Sequence, residues 1–415
     1  MKELVKMSDV VATFMKHLNS TGLYSPQKPS YKGKLTYLVL IYVVFEVLYV
    51  MINSWKTWDF NSRVTALENL NLAIGIFNIA TEHMHLHDRK YNQIQLMSSQ
   101  LYLYDVREDV PNTMSIQSIF KEKEVFVESM EKDSIKLTNI IVTSLRWYFI
   151  GYLMSSLFGL VFYVISDDFN SLSLPIVFYN PFTPSPSISF MNFKQYVLIL
   201  LFELWYTHLS FTLVITMGGF YFLSTDNVTR EMKLFHMNLK ELNLNFKSIE
   251  AADQKCDERN YEALKPICRR VFAHHQLIYK KVRMLNKGLD FIVMYYNPFI
   301  CFQLCLAIFC IVKVDLIFKI KYGFAFFTVL LMSFIYCEKG QSLENEGEDL
   351  RDALYSCNWV GKPDWFCRSL MILMIQNNQI PKIETFGILT LNRKNLRGIM
   401  QAVYSYFNLL MRFSK

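Results

Sequence analysis

Seven stretches of this chain are long and apolar enough, or nearly so, to cross a lipid bilayer. They cover about residues 34–54, 64–84, 138–166, 194–223, 288–312, 320–338 and 386–411. About twenty helical residues span a hydrocarbon core, and lipid offers no partner to a backbone N–H or C=O. Helices, which satisfy their own backbone, are the form such runs take. The expected fold is therefore an all-α membrane protein with seven transmembrane helices. Composition agrees: 52% of the residues are hydrophobic and 15% aromatic, a load that soluble domains rarely sustain. The first run follows about 33 polar residues without a small-residue cleavage signature, so it reads as a span rather than a secretory signal.

Orientation follows from Lys and Arg, which accumulate on the cytoplasmic side. The segments before the first span, at 86–137, at 224–286 and at 339–384 hold 30 of the 43 basic side chains. The opposite set is poor, and 167–193 has none at all. This places the amino terminus in the cytoplasm and, with an odd number of spans, the carboxyl terminus outside. A G-protein-coupled receptor has the reverse arrangement. The net charge of +7 faces the anionic inner leaflet. The basic residues are dispersed, with no stacked aromatic motif among them, which argues against nucleic acid as a partner.

Four regions are expected. Residues 1–33 form a cytoplasmic segment whose Val10, Val11, Phe14, Met15 and Leu18 make an amphipathic interfacial helix. Residues 34–338 hold the first six spans and the long loop 224–286. The loop's apolar spacing predicts that spans four and five continue as helices into the cytoplasm. Residues 339–385 form a cytoplasmic anchor region for contacts between subunits, with Pro363 and Pro381 bracketing a short helix around 364–376. Residues 386–415 hold the seventh helix.

No constellation of catalytic residues stands out, so no enzyme activity, cofactor or metal is expected. The eight cysteines lack metal-ligand spacing and imply no extracellular disulfide framework. Of His83, His85 and His87, only the first and last share a helical face, without a third ligand. Both Asp88-Arg89-Lys90 and Asn297-Pro298-Phe299 resemble G-protein-coupled receptor signatures but fall in the wrong spans, and read as chance matches. Glu46, Glu68, Arg146, Glu203 and Asp290 lie within predicted spans, where ionisable groups are paired or functional.

The last helix is the most unusual. Gly398, Gln401, Ser405, Asn408 and Arg412 recur at steps of three and four, a narrow polar stripe on an otherwise apolar cylinder. A spanning helix with such a stripe needs a partner helix or water on that face. If it is water, the helix lines a pore.

Two stretches point to a family. Gln341-x-Leu343 and Leu350-x-x-Ala353-x-Tyr355-x-x-x-Trp359 follow the sixth span. Gln376, Pro381, Phe386, Leu389 and Leu391 then lead into Tyr404-Ser405-Tyr406-Phe407. This order, over about 75 residues, closely resembles the insect odorant receptors, and the inverted topology agrees. Gly347 departs from a frequent Ser, a change of one small residue for another. The related gustatory receptors would show a Thr-Tyr start and a Gln-Phe end in the last span, and neither is present.

The resemblance implies an odorant-gated, nonselective cation channel of four subunits around a central pore. The co-receptor subunit of that family carries a much longer second cytoplasmic loop. The roughly 63 residues here resemble the ligand-tuned subunit, which implies a heterotetramer with the co-receptor. The implied place is the plasma membrane of an olfactory neuron dendrite, crossed many times. A hydrophobic volatile would bind in the outer membrane half between spans two, three, four and six. The aromatic and sulfur-bearing side chains there give a candidate pocket of Met154, Ser155, Phe158, Gly159, Phe162, Phe202, Trp205, Tyr206, Tyr322 and Phe324. By the same resemblance the constriction falls near Leu409 with Phe413 one turn outward, and Gln401, Ser405 and Asn408 line the wetted path. Arg412 at the outer mouth suits a cation path only in a mixed assembly. Glu344, Glu346, Glu348, Asp349 and Asp352 would concentrate cations at the inner mouth or form a solvated helix face. The competing reading is a seven-helix chemosensory receptor signalling through G proteins, which demands an extracellular amino terminus. A transporter is a third, and the internal repeat it commonly shows is not seen.

Overall fold

The computed structural model describes residues 4–23, 30–56, 58, 60–99, 101–102, 114–166, 192–252, 261–262, 264–313, 316–385 and 387–413. Among these, α1 (Leu4–Thr21) is the amphipathic helix that the first segment predicts. It packs against the bundle with Phe14 and Leu18 buried. The Phe14 ring occupies the space above Gly219 that a Cβ would fill. Gly22, at φ 73, ends the helix. The Ser30 hydroxyl then donates to the Gly22 carbonyl at 3.0 Å and accepts from the Gly33 N–H at 3.1 Å, capping the next helix.

The first two apolar runs become α2 (Tyr31–Ser54) and α3 (Phe60–His85), and α4 (His87–Ser98) follows after a break at Leu86. The middle runs lie within four very long helices: α5 (Met114–Ser166), α6 (Phe193–Ala252), α7 (Lys265–Lys313) and α8 (Leu316–Tyr355). By length and composition, Tyr31–Asn53, Phe193–Lys247, Lys265–Lys313 and Tyr322–Tyr355 are long and apolar enough to cross a membrane. Helices of 53, 60, 49 and 40 residues exceed the span requirement by far. The excess projects from one end of the bundle, as the apolar spacing of 224–286 predicts. There Leu239, Leu242, Phe246, Ile267, Val271 and Ile278 are buried, joined by Phe366, Leu370 and Leu373 of the short α9 (Asp364–Asn377).

Within this extended end, α6 and α7 are pinned by a buried polar cluster. The Glu231 carboxylate accepts from Lys281 Nζ at 2.6 Å and pairs with His274 Nε2 at 2.8 Å. Lys281 also donates to Asn227 at 3.0 Å, and Asn238 meets His274 Nδ1 at 3.0 Å. Burial alone pushes the Glu231 carboxyl up, but the His274 hydrogen bond and the Lys281 ammonium outweigh it and hold it below its ordinary range. Such a cluster fixes register more than it adds stability.

The seventh run differs from expectation at its start. Glu384–Thr385 (β1) and Leu389–Thr390 (β2) pair antiparallel around Gly387, whose φ of 69 suits a residue without Cβ. The last helix, α10 (Arg393–Phe413), begins only after this hairpin. Asn392 caps it, its side-chain oxygen accepting from the Asn395 N–H at 3.0 Å.

Candidate functional site

In the middle of the bundle α3, α5, α6, α7 and α8, with Val43 of α2, enclose a cavity of about 150 Å³. Its wall takes Leu72, Gly75, Ile76 and Ile79 from α3, Leu145 and Phe149 from α5, and Tyr206, Thr207, Ser210, Val214 and Met217 from α6. From α7 come Tyr295, Tyr296, Phe299, Ile300 and Gln303, and from α8 Thr328, Val329, Met332 and Tyr336. Eight residues separate Tyr295 from Gln303, and eight separate Thr328 from Tyr336. At 1.5 Å per residue the cavity therefore runs about 12 Å along the bundle axis.

The two ends differ chemically. At one, Gln303 is held on both sides of its amide: Asn71 Nδ2 donates to its oxygen at 2.9 Å, and its nitrogen donates to the buried Glu68 carboxylate at 3.2 Å. At the other, three tyrosines gather. Tyr336 stacks on Tyr221 at 4.4 Å and on Tyr296 at 5.1 Å, and its carbonyl accepts from the Tyr221 hydroxyl at 2.7 Å. Between the ends the Phe299 ring presses on Gly75, where there is no room for a Cβ.

Pro298 sits inside α7, next to cavity-lining Phe299. It removes one helical hydrogen bond and leaves the Met294 carbonyl without its usual N–H partner. Beside Pro298, Asn297 and Asn395 exchange two side-chain hydrogen bonds, of 2.8 and 3.0 Å. Thus one short stretch of α7 lines the cavity and grips the first turn of α10. α8 holds the same turn: Arg393 pairs with Glu338 through two contacts of 2.8 and 2.5 Å, and Asn392 donates to Glu344 at 3.2 Å.

Beyond that turn α10 buries Ile399 and Val403 and leaves its other face open. Gly398, Gln401, Ser405, Asn408 and Arg412 are all exposed, and Leu409 beside them is 48% exposed. The Phe413 side chain lies outside the described residues. Of the acids on the α8 extension, Glu346 pairs with Lys233 at 3.2 Å and Glu344 is engaged by Asn392. Glu348, Asp349 and Asp352 are exposed.

The structure distributes the sequence-derived pocket unevenly. Tyr206 lines the cavity. Phe202 is half-buried one turn away and faces Trp205 at 5.9 Å between centroids. Trp205 and Phe324 lie 44% and 48% exposed. Tyr322 is buried in a separate cluster with Val64, Leu306, Phe309 and Cys310. Met154 is half-buried, and the side chains of Ser155, Phe158, Gly159 and Phe162 lie outside the described residues. Sequence reasoning missed the α7 wall, although a proline and Gln303 inside an apolar span were available signals. His83 has a structural place: its ring bonds the Ile79 carbonyl at 2.7 Å and reaches Thr216 at 3.4 Å, tying α3 to α6.

A model of the 7tm odorant receptor family matches residues 114–404. The chain belongs to that family. Its members are receptors rather than enzymes, and this chain is a multi-pass membrane protein. Odorant receptor 2a of Drosophila melanogaster is 30% identical over 87 residues, which covers 21% of this chain and 22% of that relative. The match thus spans about a fifth of the relative's length. Two solved structures of the olfactory receptor OR5 of the insect Machilis hrabei share the fold. The one in complex with eugenol superposes with a TM-score of 0.75 at 13% identity, covering 99% of this chain and 100% of that one. The other gives 0.71 at 11% identity over the same shares. The seven-helix architecture of the family is therefore the architecture of this chain.

Proposed function

We propose that this chain is the ligand-tuned subunit of an odorant-gated, nonselective cation channel, assembled as a heterotetramer with the family's co-receptor. The amino terminus and the extended end of the bundle face the cytoplasm, and the carboxyl terminus faces outward, as the distribution of Lys and Arg requires. A hydrophobic volatile enters the cavity shared by α3, α5, α6, α7 and α8. Phe202, Trp205 and the neighbouring outer residues of α5 and α8 line its approach. The cavity wall is nearly all apolar, so each Å² of ligand surface withdrawn from water contributes about 25 cal/mol. The observation that carries this reading is the shared stretch of α7, with Phe299 in the cavity wall and Asn297 on the last helix.

Gating then requires that the occupied cavity favour a displaced α10, since a ligand indifferent to the two states shifts nothing. Gln401, Ser405 and Asn408 line the wetted path, and Leu409 with Phe413 closes it by excluding water. Arg412 at the outer mouth is tolerated because only some of the four subunits carry it. Voltage clamp of the chain co-expressed with its co-receptor tests the proposal. Volatile-evoked cation current is expected, and Leu409→Ala should raise the current without ligand. An unchanged leak in a properly surface-expressed variant would remove Leu409 from the gate. Surface labelling of an amino-terminal tag on intact cells would overturn the orientation and favour signalling through G proteins.

A further inference from the structure

Cavity walls that are merely apolar select ligands by size, but this wall keeps tyrosine hydroxyls in reserve. Tyr295 and Tyr336 line the cavity, and their hydroxyls have no hydrogen-bond partner. Tyr336 is only 2% exposed, and its ring is clamped by Tyr221, Phe222 and Tyr296. It cannot swing out to find water. Two hydroxyls of the same wall are already committed to their own helix: Thr207 donates to the Glu203 carbonyl at 2.7 Å and Ser210 to the Tyr206 carbonyl at 2.8 Å. Gln303 at the opposite end is engaged through both amide atoms. The Tyr296 hydroxyl also has no hydrogen-bond partner, and it is set apart from the pair by Ser333 beside it.

A buried hydroxyl without a partner costs free energy, and native structures rarely keep one without a use. Two such groups at one end of an elongated apolar cavity form a polar terminus awaiting a partner. We propose that this receptor selects a small volatile with one oxygen function at one end, and seats that oxygen on Tyr295 and Tyr336. The hydrocarbon body lies along Ile76, Val214, Ile300 and Met332. A phenolic hydroxyl both gives and accepts a hydrogen bond, so an alcohol, a phenol or a carbonyl satisfies the site and a hydrocarbon of the same shape does not. An apolar cavity of about 150 Å³ holds a molecule of roughly benzene's size, which points to a single ring or a short chain. This inference rests on the cavity being the odorant site.

The test uses the full-length chain in detergent, with binding of toluene and p-cresol read from depletion of vapour above the solution. Wild type and the Tyr295→Phe/Tyr336→Phe double variant are compared, so that partition into detergent cancels in the ratio. Wild type is expected to favour p-cresol over toluene about tenfold, the size of one neutral hydrogen bond. In the double variant that preference should vanish while toluene affinity stays unchanged. The unliganded double variant should melt no lower than wild type, because only unpartnered oxygens are removed. A preference for p-cresol that survives both substitutions overturns the proposal. So does equal loss of both probes, which would mark a packing role, and so does an absence of preference in wild type, as expected if a buried water alone occupies the hydroxyls. Ile76→Trp, which fills the cavity, separates the two levels of inference. If it abolishes binding of both probes while the tyrosine variants change nothing, the polar terminus fails and the cavity stands. If both probes still bind, the cavity itself is not the site and both readings fall.

Discussion

The reciprocal hydrogen bonds between Asn297 and Asn395 join the cavity wall to the last helix. Two bonds of 2.8 and 3.0 Å between half-buried amides, at about 0.5–1.5 kcal/mol each, amount to roughly 1–3 kcal/mol. They hold the first turn of α10 against the part of α7 that carries Pro298. If opening breaks them, Asn395→Ala removes that amount from the closed state alone. The open fraction at low ligand should then rise about tenfold or more, since 1.4 kcal/mol is a factor of ten. The half-maximal ligand concentration should fall accordingly. Asn297→Ala should do the same, and the double variant should do no more than either single one. The assay is a dose–response series on the four channels of this cycle, each co-expressed with the co-receptor. A coupling energy near zero, with the two single effects simply adding, would refute the reasoning. It would mean that the pair is carried unbroken through opening and that another contact couples cavity to pore. The Arg393–Glu338 pair is the alternative to examine in that case, although its exposure makes it weaker.

Two further predictions follow from buried groups and close contacts. His275 is fully buried on the extended end, both ring nitrogens lack a hydrogen-bond partner, and burial with the neighbouring His274 pushes its imidazole down to about 4. The unfolded chain takes up a proton near 6.5 while the folded chain resists until about 4. Stability is therefore complete above this window and is lost as pH falls through it, by about 3 kcal/mol. Thermal melts in detergent between pH 7.5 and 4.5 should show a decline that His275→Phe flattens. An equally steep decline in that variant would assign it to other groups. Gly75→Val places a branched side chain where the Phe299 ring now rests. The ring must shift, and the response to ligand should drop at least tenfold with surface expression retained. A normal dose–response curve would show that the Phe299 wall does not touch the ligand.

The spans were legible because their cause is one-dimensional. A run of apolar residues long enough to cross lipid must be a helix, whatever its neighbours, so α2, α3 and the apolar parts of α5 to α8 follow from length and hydropathy. The extension of α6 and α7 beyond the membrane also followed, since Leu239, Leu242, Ile267 and Val271 repeat at helical spacing. The hairpin before α10 did not, because Phe386 to Leu391 are apolar enough to pass for the start of a span. A two-residue ladder turning at Gly387 depends on contacts with α7, such as Asn286 donating to the Lys382 carbonyl at 3.0 Å, which no local pattern shows. The cavity was legible only in kind. Aromatic side chains that line a space and those that merely pack look alike in a sequence, and Tyr206 falls in the first group while Trp205, one residue earlier, is nearly half exposed. Asn297-Pro298-Phe299, a chance likeness to a motif of other receptors, became informative only when its three residues were seen to face in different directions.

The polar stripe of α10 shows what a single chain cannot satisfy alone. Gln401, Ser405, Asn408 and Arg412 project from one protomer with only Ser405 bonded back to its own helix, at 3.0 Å to the Gln401 carbonyl, among the hydrogen bonds of the described residues. Were this face turned to lipid, an arginine alone would cost about 2.5–3.5 kcal/mol at mid-bilayer, somewhat less near the helix end where it can reach the headgroups. The amides of Gln401 and Asn408 would add to that cost, since hydrocarbon offers them no partners. Tyr404, Tyr406 and Leu409 flank the stripe at 69%, 55% and 48% exposure. The exposed surface of α10 is thus a mixture of ring edges, an aliphatic side chain and amides that neither lipid nor water alone would favour. An arrangement of several subunits around an axis would resolve the mixture. In the proposed channel, water would take the stripe, neighbouring subunits would take the tyrosines, and Leu409 would stand at the boundary where a small rotation of the helix decides whether the path is wet.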